Sequence, residues 1–234
     1  MAKVKNRYKL AFIIVAVISC ILMIGEISLA WFMSSAFTDN SGDSVKVIGT
    51  IDLEVKYDFS FYNDALSPDT YYLQNKTNDN PTKTTVKTTD KNNIDLVFVK
   101  IKFITDTEQL TLYFEDNLIM SGITEYDEDT CLNKWFLNSY TLLDKGEGVV
   151  HYEYEYYYIG LVGNTEVQFN KGFYVSNHID NSFAKKDVYI KMEVYGIQSQ
   201  YGAYLDENDW KDSPEIFQSY AAEVTGYAKE EPAS

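Results

Sequence analysis

The sequence has few of the residues from which catalytic and metal sites are usually built. Its 234 residues include two histidines, His151 and His178, and two cysteines. It contains no His-Glu-x-x-His motif, no Cys-x-x-Cys pair and no Gly-x-Ser-x-Gly nucleophile elbow. The sequence therefore predicts no metal site, no cofactor and no enzymatic activity. A hydrolase whose catalytic groups meet only in the fold is an alternative that sequence leaves open.

Positive charge is also scarce. The chain has 20 Lys and Arg against 35 Asp and Glu, a net charge of −15. Without residues 1–30, 16 basic and 34 acidic residues remain, and the net charge falls to about −18. Because nucleic-acid phosphates require a basic surface, we expect no nucleic acid among the partners.

Long apolar runs are absent except for one near the N-terminus. Residues 10–25 are largely apolar and follow the basic segment MAKVKNRYK, a pattern typical of an export signal. Glu26 would be costly in hydrocarbon, and small residues occupy the positions that a signal peptidase reads. The predicted signal-cleavage residues are Ser28, Ala30 and Trp31. Cleavage at 34–36 and an uncleaved anchor are the alternatives. In each case we expect a protein that is secreted or at the cell surface and meets the membrane only through this segment.

Cysteine is too scarce for an internal disulfide in the exported part. Cys20 lies in the apolar run, which leaves Cys131, and we expect a small buried hydrophobic residue there. Carboxylates cluster at 125–130 and 206–209, but without the spacing of a known calcium loop. Calcium binding and plain solvated loops are both open at these two places.

The remaining sequence is rich in segments that alternate apolar and polar residues with a period of two. This alternation predicts half-buried β-strands separated by turns. The segments are 49–59, 95–105, 111–114, 149–159, 165–175 and 187–197. Without strand–helix alternation, they predict an all-β, antiparallel sandwich or barrel with long loops and minor short helices. We expect those helices at 108–109, 131–138 and 209–219, and a polar loop or edge ribbon over Gln74–Asn93, centred on Val86.

Tyrosine is abundant, and one strand carries an unusual set. Tyr152, Tyr154, Tyr156 and Tyr158 share one face of the segment HYEYEYYYIG, with Glu153 and Glu155 on the other. Tyrosines in register bury their rings and keep their hydroxyls near water. The set predicts either the margin of a core or a contact face, which includes a strip for stacking on sugars.

Four short motifs resemble the TasA and camelysin family of exported Gram-positive matrix-fibre proteins, which SipW-type signal peptidases process. Residues 29–32 and 37–39 resemble the family's Ala-aromatic and Phe-Thr-Asp stretch after the cut, and residues 47–53 resemble its first strand. Residues 93–101 resemble a family strand, with Phe98 and Lys100 in place of Tyr and Arg. The Tyr-Tyr stretch at 156–158 and the segment 193–198 are similar to its closing strands.

The resemblance implies a jelly-roll-like β-sandwich that forms fibres with copies of itself or related matrix subunits, by strand donation. It implies a signal peptide or anchor at 1–30, a donor extension at 31–47, a sandwich domain at 48–222 and a flexible tail at 223–234. The implied donor residues are Trp31, Phe32, Phe37, Val45 and Val47. Pairing of 31–47 within its own subunit is one alternative, and a monomeric binding module for carbohydrate or a host ligand is another. Camelysins are also described as metal-dependent proteases. This sequence has no motif that could hold zinc, so it does not support that activity here.

Overall fold

The computed structural model describes eleven ranges of the chain. They are 37–40, 43–49, 53–57, 67–74, 83–89, 96–115, 118–144, 150–178, 188–200, 202–206 and 210–227, the first two by backbone alone. The chain divides into the units Met1–Met33 and Ser34–Ser234, and every described residue lies in the second.

The described residues are mostly in strands. The first seven strands are β1 Phe37–Asn40, β2 Asp43–Gly49, β3 Leu53–Lys56, β4 Thr70–Tyr72, β5 Thr85–Thr88, β6 Val97–Thr105 and β7 Leu110–Tyr113. The others are β8 Ile119–Met120, β9 Lys134–Asp144, β10 Val150–Ile159, β11 Val167–Gln168, β12 Gly172–Val175 and β13 Ile190–Gln198. Three helices accompany them: α1 Glu128–Cys131, α2 Ala203–Asp206 and α3 Glu215–Thr225. The all-β prediction is confirmed.

The strands form one large and two small sheets. The large sheet has the order β1-β2-β13-β6-β10-β9-β8, and the small sheets have the orders β11-β5-β3 and β4-β12-β7. Most neighbours are antiparallel, while β2 runs parallel to β13 and β8 runs parallel to β9. A one-residue irregularity interrupts the β9–β10 pairing between Glu155 and Tyr156.

One face of the large sheet packs on the two small sheets, as in a β-sandwich. Alternate residues of β6, among them Val99, Ile101 and Phe103, join β10 and β13 residues in this core. The small sheets contribute Val86 and Phe173, and the Phe103 and Phe173 rings lie 6.2 Å apart. The period of two therefore places one set of side chains in this layer.

The other face of the large sheet is covered at one end by the C-terminal helices. Phe98, Tyr157 and Tyr195 alternate with the first core and pack with Trp210 and Phe217 in a second one. Helix α3 buries Ile216, Phe217, Tyr220 and Ala221, which lie on one helical face. Gly226 ends the helix with φ of 73°, a left-handed conformation that glycine adopts readily.

Several local predictions were wrong. The predicted helix at 131–138 is largely β9, with Trp135 fully buried, and residues 108–109 form a turn before β7. Val86 is also fully buried and belongs to the central strand of a small sheet, rather than to an edge or loop. Residues 223–225 of the predicted tail belong to α3.

Candidate functional site

The β1–β2 hairpin forms one edge of the large sheet. Strand β2 pairs with β13 from Ser44 opposite Lys191 to Gly49 opposite Gly196, and β1 pairs antiparallel with β2 on the outside. On its other side, β13 is bonded along its length to β6. The hairpin therefore joins the sheet through β13 alone.

The predicted donor residues lie partly in this hairpin. Phe37 is in β1, and Val45 and Val47 are in β2, opposite Met192 and Val194 of β13. Met192 and Val194 are fully buried in the sandwich core. The structure thus describes residues 37–40 and 43–49 paired within their own chain, the alternative that sequence analysis left open. Trp31, Phe32 and the cleavage residues Ser28 and Ala30 lie outside the described residues.

The predicted tyrosine face changes from core to surface along β10. Tyr156 and Tyr158 are buried, so they belong to the core and form no contact face. Tyr154 is half-buried, and this burial raises its pKa to about 12. Tyr152 stacks on the exposed Tyr140 of β9, with ring centroids 6.1 Å apart and an angle of 25° between their planes.

The end of the β9–β10 hairpin that contains Tyr140 and Tyr152 carries an apolar surface. Tyr140 is 47% exposed and Leu142 is 58% exposed, and Val150 is also exposed. Tyr152 pairs with Leu142 and Tyr154 pairs with Tyr140, so these side chains continue the core face past the part that the small sheets cover. We call Tyr140, Leu142, Val150 and Tyr152 the hairpin patch.

A second aromatic surface, which sequence analysis missed, lies on the β4-β12-β7 sheet. The ring of Tyr71 is 4.8 Å from that of its cross-strand partner Tyr174 and 4.8 Å from that of Tyr113. The Tyr174 hydroxyl donates a hydrogen bond of 2.9 Å to Asp69 Oδ1, and this bond raises the pKa of Tyr174. We call Tyr71, Tyr113 and Tyr174 the tyrosine triad. The sequence signal was weak because its members are separated by up to about a hundred residues.

The polar face of the large sheet holds a buried ion pair. Lys100 Nζ lies 3.1 Å from Glu155 Oε1, and Asn138 Nδ2 donates a 2.9 Å hydrogen bond to Glu155 Oε2. Lys100 is only 3% exposed, because the rings of Tyr157, Tyr195 and Trp210 surround its ammonium group at 5.1–5.4 Å. The arrangement satisfies the buried charge with a carboxylate and aromatic rings, as in a structural ion pair.

Lys102 extends this polar face toward solvent. Its Nζ lies 3.1 Å from Glu153 Oε1 and 3.9 Å from Glu155 Oε1. Burial lowers the pKa of Lys102, but the hydrogen bond to Glu153 and the charges of Glu153, Glu155 and Glu193 together raise the pKa overall. The alternating charges of β6 and β10 therefore form cross-strand ion pairs, which stabilise the sheet.

The residues considered for metal binding do not converge. Among the described residues, no three His, Cys, Asp or Glu side chains are placed to hold a metal ion. His151 stacks on Tyr189 at 4.7 Å, and Asp127 of the 125–130 cluster accepts a hydrogen bond from Thr130. Cys131 is a buried free thiol, as predicted. The absence of a cofactor and the open question of calcium stay predictions.

Comparisons with known proteins provide no relative. No family model, no curated protein and no solved structure matches the chain. The resemblance to the TasA and camelysin family stays a prediction from motifs. In the described part of the chain, none of the helices combines the length and apolar character of a membrane span.

Proposed function

We propose that this protein is an exported structural subunit of the cell surface or extracellular matrix, and that its copies assemble into fibres by strand donation. The observation that carries the proposal is the position of the β1–β2 hairpin at one edge of the large sheet, which the hairpin joins only through the pairing of β2 with β13. In the fibre, the 31–47 segment of one copy takes the β2 position on β13 of the next copy. The finer architecture that we propose for the domain is a jelly-roll-like sandwich.

The backbone chemistry of β13 supports this exchange. If β2 leaves, one side of β13 presents unpaired N–H and C=O groups, which an incoming strand can satisfy. The β2 sequence suits the same register in another copy, since Val45 and Val47 occupy the positions opposite Met192 and Val194. A donor segment and an acceptor edge are different surfaces, so this contact is heterologous and leads to filaments rather than closed dimers.

The N-terminal sequence supports export. The basic segment, the apolar run and the small residues at Ser28 and Ala30 fit removal by a SipW-type signal peptidase. Cleavage before Trp31 would free the donor segment from the membrane. A net charge near −18 on each exported copy opposes close assembly, so added salt should favour fibre growth.

The test compares protein that begins at Trp31 with protein that begins at Thr50, which lacks the whole hairpin. We expect filaments by electron microscopy from the longer form alone. A synthetic peptide of residues 37–49 should bind the shorter form, and a scrambled peptide should not. Monomers from both forms, at high and low salt, would overturn the fibre proposal.

A pair of matched substitutions separates strand donation from the general effect of an added negative charge. Val47→Asp places a carboxylate at a register position opposite the buried Val194, and it should abolish filaments. Val224→Asp adds the same charge at an exposed position of α3 and should leave filaments unchanged. Equal behaviour of the two variants would contradict the role of β2.

The second candidate function is a monomeric surface module that binds carbohydrate or a host ligand through the hairpin patch. The stacking of the half-buried Tyr152 ring on the exposed Tyr140 ring favours it. A glycan array and affinity electrophoresis with Tyr140→Ala would test this candidate. Retarded migration of the parent protein, lost in the variant, would support it.

A further inference from the structure

The tyrosine triad combines three features that favour oxidation of a phenol. Tyr71 is 53% exposed, so small oxidants and the active site of a peroxidase can reach it. Tyr174 donates its hydroxyl hydrogen to Asp69, so a proton acceptor is already in place at 2.9 Å. The two rings are neighbours, as direct cross-strand partners of β4 and β12.

The hydrogen bond to Asp69 matters because a phenol that loses an electron becomes a strong acid. A carboxylate that already accepts the hydroxyl hydrogen can take the proton as the electron leaves, which lowers the free energy of oxidation. Asp69 has φ of 51°, a left-handed conformation that Asp and Asn tolerate better than most residues. Tyr174 is therefore the phenol of the triad that is set up to lose a proton and an electron together.

The separation of the Tyr71 and Tyr174 rings is close to that of a coupled product. The centroids of Tyr71 and Tyr174 are 4.8 Å apart, and their planes are inclined by 38°. Two phenol rings joined by one carbon–carbon bond have centroids about 4.3 Å apart, from ordinary bond lengths. Such linked rings are also twisted relative to each other. The observed centroid separation is thus about 0.5 Å longer than that of the bonded pair, and the bond forms once the rings turn edge to edge.

We propose that Tyr71 and Tyr174 form an intramolecular dityrosine cross-link when a haem peroxidase and hydrogen peroxide act on the protein. Each tyrosine loses one electron and its phenolic proton, and the Tyr174 proton passes to Asp69. The two radicals then form a bond between ring carbons adjacent to the hydroxyls. Each of those carbons loses its hydrogen as a proton while the phenols are restored. In total the pair loses two hydrogen atoms, and one hydrogen peroxide is reduced to two water molecules.

The cross-link would join β4 to β12 in a protein whose exported part has one cysteine and forms no internal disulfide. It does not depend on fibre assembly, because both tyrosines belong to the same chain.

Other close tyrosines provide internal comparisons. The ring centroid of Tyr140 lies 6.1 Å from that of Tyr152 and 5.0 Å from that of Tyr154. In the described part of the chain, however, none of these three hydroxyls donates a hydrogen bond to a carboxylate, as that of Tyr174 does. Tyr195 also donates to a carboxylate, that of Glu193 at 2.7 Å, but it is 7% exposed and lies under the ammonium groups of Lys100 and Lys102. Positive charge next to a ring opposes removal of an electron from it. We therefore expect the triad to react first.

The experiment treats a dilute solution of the protein that begins at Trp31 with horseradish peroxidase and a limited amount of hydrogen peroxide. Intact mass should fall by two hydrogen atoms in the monomer, with dityrosine fluorescence. Trypsin cuts after Lys171 and Lys185, and the peptide 172–185 contains Tyr174 as its single tyrosine. We expect this peptide to be linked to the peptide 57–76 through Tyr71.

Four substitutions decide between the triad and unspecific coupling. Tyr71→Phe and Tyr174→Phe should abolish the linked peptide, and Tyr140→Phe should not. Asp69→Asn suits the same backbone conformation and should slow the coupling about fivefold to tenfold, through loss of a charge-assisted hydrogen bond. The proposal is overturned if peptide 172–185 stays unlinked while other tyrosines couple. It is overturned equally if links join only separate molecules, or if Asp69→Asn reacts at the parent rate.

Discussion

Gly196 of β13 lies directly against the side chain of Leu53 in β3. A Cβ atom at Gly196 would be 2.6 Å from Leu53 Cδ1 and 3.2 Å from Cγ, so β13 and the β11-β5-β3 sheet approach too closely for a side chain. Leu53 is 8% exposed and belongs to the sandwich core. The absence of a side chain at Gly196 therefore sets the distance between two layers.

Gly196→Ala should destabilise the protein by about 1–3 kcal/mol, because Leu53 must leave its place in the core. Urea unfolding followed by tryptophan fluorescence measures the change. Combining Gly196→Ala with Leu53→Ala should cost less than the sum of the two single changes, since the truncated side chain makes room. Additive effects would show that the contact does not determine the layer spacing.

The strands with a clean period of two were predictable from sequence. In β6, β10 and β13, β-branched and aromatic residues alternate with Lys and Glu, and all three strands were predicted. The alternation is visible in these strands because part of the other face of the large sheet carries paired Lys and Glu side chains. Sequence patterns therefore identified the central strands of the large sheet.

Strand β9 escaped prediction because both of its faces are buried where it starts. Trp135 belongs to the sandwich core, whereas the adjacent Phe136 belongs to the core under the helices. Two buried aromatic neighbours remove the alternation that marks a half-buried strand. Strand β5 was predicted as a polar loop or edge ribbon for a different reason, since threonines such as Thr85 and Thr88 are polar in composition but buried in the fold.

The candidate sites depend on strand order, which periodicity does not supply. Tyr71 and Tyr174 meet only because β4 and β12 are neighbours, and Lys100 reaches Glu155 only because β6 lies beside β10. Nor does alternation predict that Trp210 and two tyrosines cover the ammonium group of Lys100. The position of the β1–β2 hairpin at the edge of the large sheet likewise follows from topology rather than from its own sequence.

Removing Lys100 should be strongly destabilising. Lys100→Met leaves Glu155 without its 3.1 Å partner in a largely buried site, and breaking such a pair costs about 3–5 kcal/mol. The double change Lys100→Met with Glu155→Leu removes both charges, so it should recover most of the loss. Chemical denaturation of the parent, single and double variants measures this difference. A double variant as unstable as the single one would indicate that the ring contacts of Lys100, rather than the pair, provide the stability.

Asn170 links the two small sheets with both ends of its amide. Its Oδ1 accepts the Thr84 N–H at 2.9 Å, its Nδ2 donates to the Gly172 carbonyl at 2.9 Å, and the residue is fully buried. In Asn170→Asp a carboxylate would face that carbonyl, and burial would raise its pKa. Because the folded-state pKa would exceed the unfolded value of about 3.9, the variant should lose stability as pH rises above about 4, relative to the parent.

Urea midpoints of the parent, Asn170→Asp and the uncharged Asn170→Ala, measured at several pH values, test this expectation. A constant difference between Asn170→Asp and the parent would contradict it.

Alkaline pH should destabilise the sandwich through the β10 tyrosines. Burial raises the pKa of Tyr154 to about 12 and also raises the pKa of Tyr156, whereas an unfolded tyrosine titrates near about 10. The folded state therefore keeps protons that the unfolded state releases. The stabilising contribution is complete below about pH 10 and is lost as pH rises toward about 12.

Tyr156→Phe removes the phenol at this position, so the urea midpoint of the variant should fall less between about pH 9 and 11.5 than that of the parent. The exposed Tyr71→Phe serves as the control and should follow the parent. If Tyr156→Phe and the parent lose stability equally, the alkaline transition arises from other groups.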